Sequence, residues 1–240
     1  MSNDSKLRTA MNAILAVSAR RLHALTEMAK NLAGPDGEEW HRTLKAQLKA
    51  GVSGAAMQPA PTHKEDLTRF FFEVFGLEVD LDDANLDASD GEIAMFNPNI
   101  LTASELVKQG CKHFKLSDPY FYKSLDEVRD TSVRPNGEYV FVYKDSPARD
   151  LPGVSYNQAK KQNLCILNLV EYILATFFSK WKTGKFLDIS GWTRLDALWF
   201  DDGVVGADWL GGRLYFGWRD RGRSNTNGGP RSVVIRPLGS

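Results

Sequence analysis

The segment from Leu164 to Phe178 constrains the fold more than any other part of the chain. It is the longest apolar stretch, interrupted only by polar residues such as Asn168 and Glu171, and it falls short of the about 20 residues a bilayer crossing needs. Spacings of three and four among Leu164, Leu167, Tyr172, Leu174, Phe178 and Trp181 predict one long helix near Tyr156–Lys182. Ser155 would cap it and Gly184 would stop it. A helix apolar around much of its circumference has to be covered from more than one side, so it is expected at the centre of the molecule.

Enough chain surrounds it to do so. The 240 residues allow one large domain or two modest ones, and a 42% hydrophobic, 25% charged composition is that of a globular protein. Thirty Lys+Arg against thirty Asp+Glu exclude a histone-like coat protein and an acidic DNA mimic. The zero net charge conceals a cancellation. Residues 1–64 carry 9 basic and 5 acidic side chains, residues 65–127 carry 5 and 14, and residues 128–240 carry 16 and 11, a pattern of +4, −9 and +5. An acidic middle attracts either flank or a basic partner.

Upstream of the apolar segment, Leu7, Met11, Ile14, Leu15, Leu22, Leu25, Met28 and Leu32 recur at helical spacing until Gly34-Pro35-Asp36-Gly37. A shorter helix is expected over Glu38–Lys49, and Gly51–Pro61 reads as a linker. Residues 1–61 are therefore expected to form a helical arm and residues 62–240 the main domain. Thr62 with Glu65 has the spacing of a capping box, and Thr102 with Glu105 repeats it. The turn Arg134-Pro135-Asn136-Gly137 precedes a β-branched and aromatic run, Glu138–Tyr143, read as a strand. After Asp188 the period changes, and glycine turns separate short apolar runs through Ile235. The expected fold is α+β: an N-terminal helical segment, a central long apolar helix and a small C-terminal antiparallel meander.

The chemistry is sparse. His23, His41, His63 and His113 are scattered, and Cys111-Lys112-His113 has no second ligand pair, so neither a metal nor a cofactor is expected. A calcium loop starting at Asp80 would need Gly at its sixth position and Glu at its twelfth, where Asn85 and Gly91 stand. Cys111 and Cys165 are too few for a disulfide framework. The chain has no G-x-S-x-G elbow, dinucleotide fingerprint or phosphate loop. Its start lacks the pattern of a secretory signal, so a cytoplasmic location is expected.

Two features remain. Glu171 lies inside the apolar segment, where burial raises a carboxyl pKa and makes a general acid, so it is the catalytic candidate. From Trp218 to Arg231 the chain is rich in Arg, Gly and Asn. Arg219, Arg221, Arg223 and Arg231 are the candidates for clamping an anion, with Trp199, Tyr215 and Trp218 as stacking surfaces. The leading expectation is a noncatalytic interaction or assembly module, with a protein partner or a second copy as its contact. The alternatives are a small hydrolase or transferase acting on an anionic substrate, and a nucleic-acid module using the basic loop.

Overall fold

The computed structural model describes residues 62–122, 124–144, 151–189, 191–199 and 203–238. The arm and linker expected over 1–61 lie outside the described residues.

Helix α1 (His63–Phe75) begins at the capping box its sequence announces. The Thr62 hydroxyl accepts from the Glu65 N–H at 3.3 Å, and the Glu65 carboxylate accepts from the Thr62 N–H at 2.6 Å. Such a cap stabilises a helix by about 1 kcal/mol. Strand β1 (Glu92–Asn97) follows, then α2 (Ala103–His113), which repeats the capping box with Thr102 and Glu105. Two short strands, β2 (Tyr120–Phe121) and β3 (Arg129–Asp130), flank a 3-10 turn at Leu125–Glu127. Strand β4 (Tyr139–Lys144) lies within a residue of the strand read at 138–143.

The single long helix expected over Tyr156–Lys182 is two helices, α3 (Tyr156–Lys161) and α4 (Leu169–Thr183). Between them Asn163 takes a left-handed φ of 54°, and Ile166 leaves the helical path to bridge Ser232. Asn168 is the N-cap of a new helix, not a polar interruption. Its side chain accepts from the Glu171 N–H at 2.9 Å, and Glu171 accepts from the Asn168 N–H at 2.8 Å. The N-x-x-E pattern that starts a helix stood in the sequence, and the apolar run around it obscured it.

The C-terminal region is likewise no self-contained antiparallel meander. Strands β5 (Trp192–Trp199), β6 (Gly203–Leu210) and β7 (Arg213–Asp220) do pair as antiparallel neighbours. But β2 runs parallel to β7, and β8 (Gly228–Pro230) runs parallel to β5. With β3 on the far edge this is a mixed sheet in the order β2-β7-β6-β5-β3, with β8 also beside β5. Strand β9 (Val233–Pro237) leaves it and joins β1 and β4 in a three-stranded antiparallel sheet. The fold is thus α+β with helices interspersed among the strands. Strands distant in sequence complete both sheets, which a reading of consecutive runs does not capture.

Helix α4 packs on α2, β1 and β5, and every residue from Glu171 to Ser179 is buried. Phe70, Phe71, Phe96, Phe141, Phe177, Phe178 and Phe216 fill this core, each fully buried and contributing about 1.5–3 kcal/mol. Gly110 on α2 makes the close helix approach possible, because a Cβ there would lie within 2.6 Å of the Phe177 ring atoms. A smaller cluster forms around α3, where Tyr156, Ala159 and Ile166 meet Leu198 of β5 and Val204 of β6. Alternation along the strands places Val204 and Gly206 on one face and Val205 and Ala207 on the core face. Helix α3 thus covers part of the outer face of the mixed sheet and leaves a neighbouring region for the site below.

Candidate functional site

The uncovered region is built on glycine. Gly206 of β6 and Gly217 of β7 pair across the sheet. A Cβ at Gly206 would stand 2.7 Å from the Arg219 Cγ and 3.3 Å from the Trp192 ring, and one at Gly217 would stand 2.7 Å from an Arg219 Nη. The missing side chains form a flat floor across which Trp192, Tyr215 and Arg219 lie. The Arg219 guanidinium sits 4.9 Å from the Trp192 ring centroid and 5.8 Å from that of Tyr215. Arg194 approaches the same indole at 4.6 Å, while Tyr215 stacks on Tyr120 at 4.6 Å. Each cation–π contact of this kind contributes about 0.5–2 kcal/mol.

Beside this ladder is a cleft of 280 Å³ lined by Trp192, Arg194, Trp218, Arg219, Asp220, Arg223 and Asn225. Its base is Arg194, 1% exposed. Two backbone carbonyls hold that guanidinium: Val154 accepts from Nη1 at 2.8 Å and Arg223 accepts from Nη2. Its Nε has no hydrogen-bond partner, and no carboxylate among the described residues forms an ion pair with it. Burial, and then the Arg219 charge, push its pKa down to about 10 against the pull of Asp220. Asp220 is turned to the loop, where its Oδ1 accepts from the backbone of Gly222 at 2.7 Å and of Arg223 at 3.1 Å. The residues lining the cleft therefore include three arginines against one aspartate. Such an arrangement binds an anion through charge-assisted hydrogen bonds.

The residues singled out from sequence divide. Arg219, Arg223 and Trp218 line the cleft. The Trp218 indole, however, lies over Gly203 on the other face of β7, since neighbouring strand residues point opposite ways. Tyr215 belongs to the adjoining ladder. Arg221, past the end of β7, lies 5.7 Å from the Tyr156 ring. Trp199 is fully buried and packs near Tyr122 at 5.9 Å. Arg231 is also buried, with its Nη2 donating to Asp188 at 2.7 Å. Glu171, the catalytic candidate, accepts from Arg134 Nε at 2.6 Å and Nη2 at 2.9 Å, and from the Tyr139 hydroxyl at 3.0 Å. Its carboxylate anchors the start of α4 and does not line the cleft.

Sequence reading missed Trp192 and Arg194. The signal was their i, i+2 spacing in a strand, which puts both side chains on one face. A second hollow, of 520 Å³, lies along α2 with Val107, Cys111, Leu116 and Phe121 in its walls. Burial and the charge of Asp118 push the Cys111 thiol up to about 11, which makes it a poor nucleophile. Both cysteines are free. Among the described residues no group of His, Cys, Asp and Glu could hold a metal ion, and no helix is long and apolar enough to cross a membrane.

Gly228 sets the position of the Trp192 indole, because a Cβ there would fall inside the ring system. Gly228→Ala is expected to displace the indole from both arginines at a cost of about 1–3 kcal/mol. Tryptophan emission and urea denaturation check this, and an unchanged spectrum would contradict the placement.

Fold and cleft together define an α+β protein with a cationic, tryptophan-bearing patch on the outer face of its mixed sheet. No known family, curated protein or solved structure matches the chain.

Proposed function

We propose that this chain is a noncatalytic, cytoplasmic interaction module that docks an anionic group of a partner protein, or of a second copy, in the Arg194–Arg219–Arg223 cleft. The observation that carries the reading is Arg194. A guanidinium buried without an acid partner, with a bare Nε and a second arginine alongside, lowers stability unless something else is gained. An incoming anion supplies the missing counter-charge.

A hydrolase or transferase has less support. Its candidate acid, Glu171, has both oxygens engaged by Arg134, Tyr139 and the Asn168 backbone and is not a cleft residue.

The test is calorimetric titration of the full chain with inorganic phosphate, sulfate and acetate. At least one anion is expected to bind, and binding should weaken in Arg219→Gln and Arg223→Gln. Saturation at about a hundred times Kd would stabilise the fold by about 2.7 kcal/mol. Absence of binding by all three anions would overturn the reading.

A further inference from the structure

Resting on that reading, we propose a specific occupant: a phosphomonoester dianion carried on a side chain of a partner protein. Charge selects the dianion. Three arginines and one aspartate among the lining residues give the cleft an excess of two positive charges. A phosphorylated side chain brings about −1.5 to −2 at pH 7, which neutralises that excess, whereas a carboxylate leaves half of it standing.

Geometry agrees with the charge. Arg219 is held against Trp192 and Tyr215, so its face is used; its Nη1 donates to the Trp218 carbonyl at 2.9 Å, which leaves Nε and Nη2 for in-plane contacts. Arg194 is fixed by two backbone carbonyls, and its buried Nε has no hydrogen-bond partner. A phosphate has three strong acceptor oxygens, enough to meet donors converging from separate strands and a loop. Asp208 shares this face and feels the Arg219 charge, but its Oδ1 has no hydrogen-bond partner, so it does not occupy the arginine.

Size and surroundings select a phosphate presented from outside. The cleft, at 280 Å³, lies at the small end of ligand sites, which suits a headgroup whose carrier stays outside. A nucleic acid would need a basic track meeting several phosphates in turn. Here three arginines line one small cleft together with Asp220, and Arg221 is directed to Tyr156. Exposed aromatic surface remains nearby at Tyr120 for the residues flanking the phosphate.

The experiment is fluorescence anisotropy on the full chain with a labelled phosphoserine peptide, its unphosphorylated form and its serine-to-glutamate form. The phosphopeptide is expected to bind at least about tenfold tighter than either control. Inorganic phosphate and sulfate should displace it and acetate should not. Arg223→Gln should weaken binding about tenfold, and Arg221→Gln, outside the cleft, should leave it unchanged. A tenfold ratio corresponds to about 1.4 kcal/mol. Equal displacement by acetate would overturn the dianion assignment while leaving a general anion site. Equal binding of the phosphorylated and unphosphorylated peptides would overturn it too, as would tighter binding of a thymidine oligonucleotide. If no anion binds at all, the broader reading falls with it.

Discussion

Arg134→Met is expected to destabilise the fold by about 3–5 kcal/mol, the usual cost of stranding one member of a buried ion pair. At about 2–4 °C per kcal/mol for a domain of this size, the melting temperature should fall on the order of 10 °C. The Glu171 carboxylate is fully buried, and Arg134 grips both its oxygens while also donating to the Ile166 carbonyl at 2.8 Å. Removing the guanidinium leaves the carboxylate with only the Tyr139 hydroxyl and the backbone of its own capping box. Glu171→Gln in the Arg134→Met background should recover a substantial part of the loss, because a neutral amide still caps α4 without stranding a charge. The double mutant separates the ion pair from the cap. If the second change recovers nothing in urea denaturation, the charge is not what the arginine stabilises.

Asp188→Ala is expected to cost a similar about 3–5 kcal/mol. Asp188 accepts from Arg231 Nη2 at 2.7 Å and from the Thr193 hydroxyl at 2.6 Å, and both its partners are buried. Arg231 stands between β8 and β9, where the chain passes from the mixed sheet to the three-stranded one. Its Nη1 also reaches the Lys144 carbonyl of β4 at 3.5 Å. The pair therefore ties the two sheets, and its loss should be felt across the whole domain. Asp188 also holds a left-handed φ of 56°, which Asn tolerates better than Ala. Asp188→Asn should accordingly lose less than Asp188→Ala. If the two variants melt together, the charge and the backbone conformation contribute nothing separable.

These two buried pairs show where the sequence was legible and where it was not. Arg231 looked like a loop arginine, one of a basic series with Arg219, Arg221 and Arg223, because the chain around it is rich in glycine and polar residues. Its partner, Asp188, is more than forty positions upstream, and nothing local announces the pairing. Glu171 looked like a catalytic acid because its neighbours are apolar. Arg134, which neutralises it, follows a strand pairing and precedes a turn with no sequence relation to α4. For the cleft, Arg219, Arg221 and Arg223 read as one anion clamp because they share a segment rich in Arg, Gly and Asn. Strand β7 ends at Asp220, so Arg221 turns to Tyr156, and Arg194 from another strand lines the cleft instead.

By itself the sequence determined the starts of the helices. Thr62 with Glu65, Thr102 with Glu105 and Ser155 with Gln158 close hydrogen bonds over three residues, and that geometry needs no other part of the chain. It also determined the strand at β4, through its β-branched and aromatic run, and the apolar character of α4. Tertiary structure alone decided that β2 and β8 run parallel to their neighbours, that β9 changes sheet, and that Arg194 meets Arg219 over Trp192. The physical reason is the weak dependence of loop closure on length. Doubling the separation of two segments costs only about 0.6 kcal/mol, so distance along the chain says little about which strands or charges will meet. Packing chooses among those pairings, and the arginine cleft is one of its products.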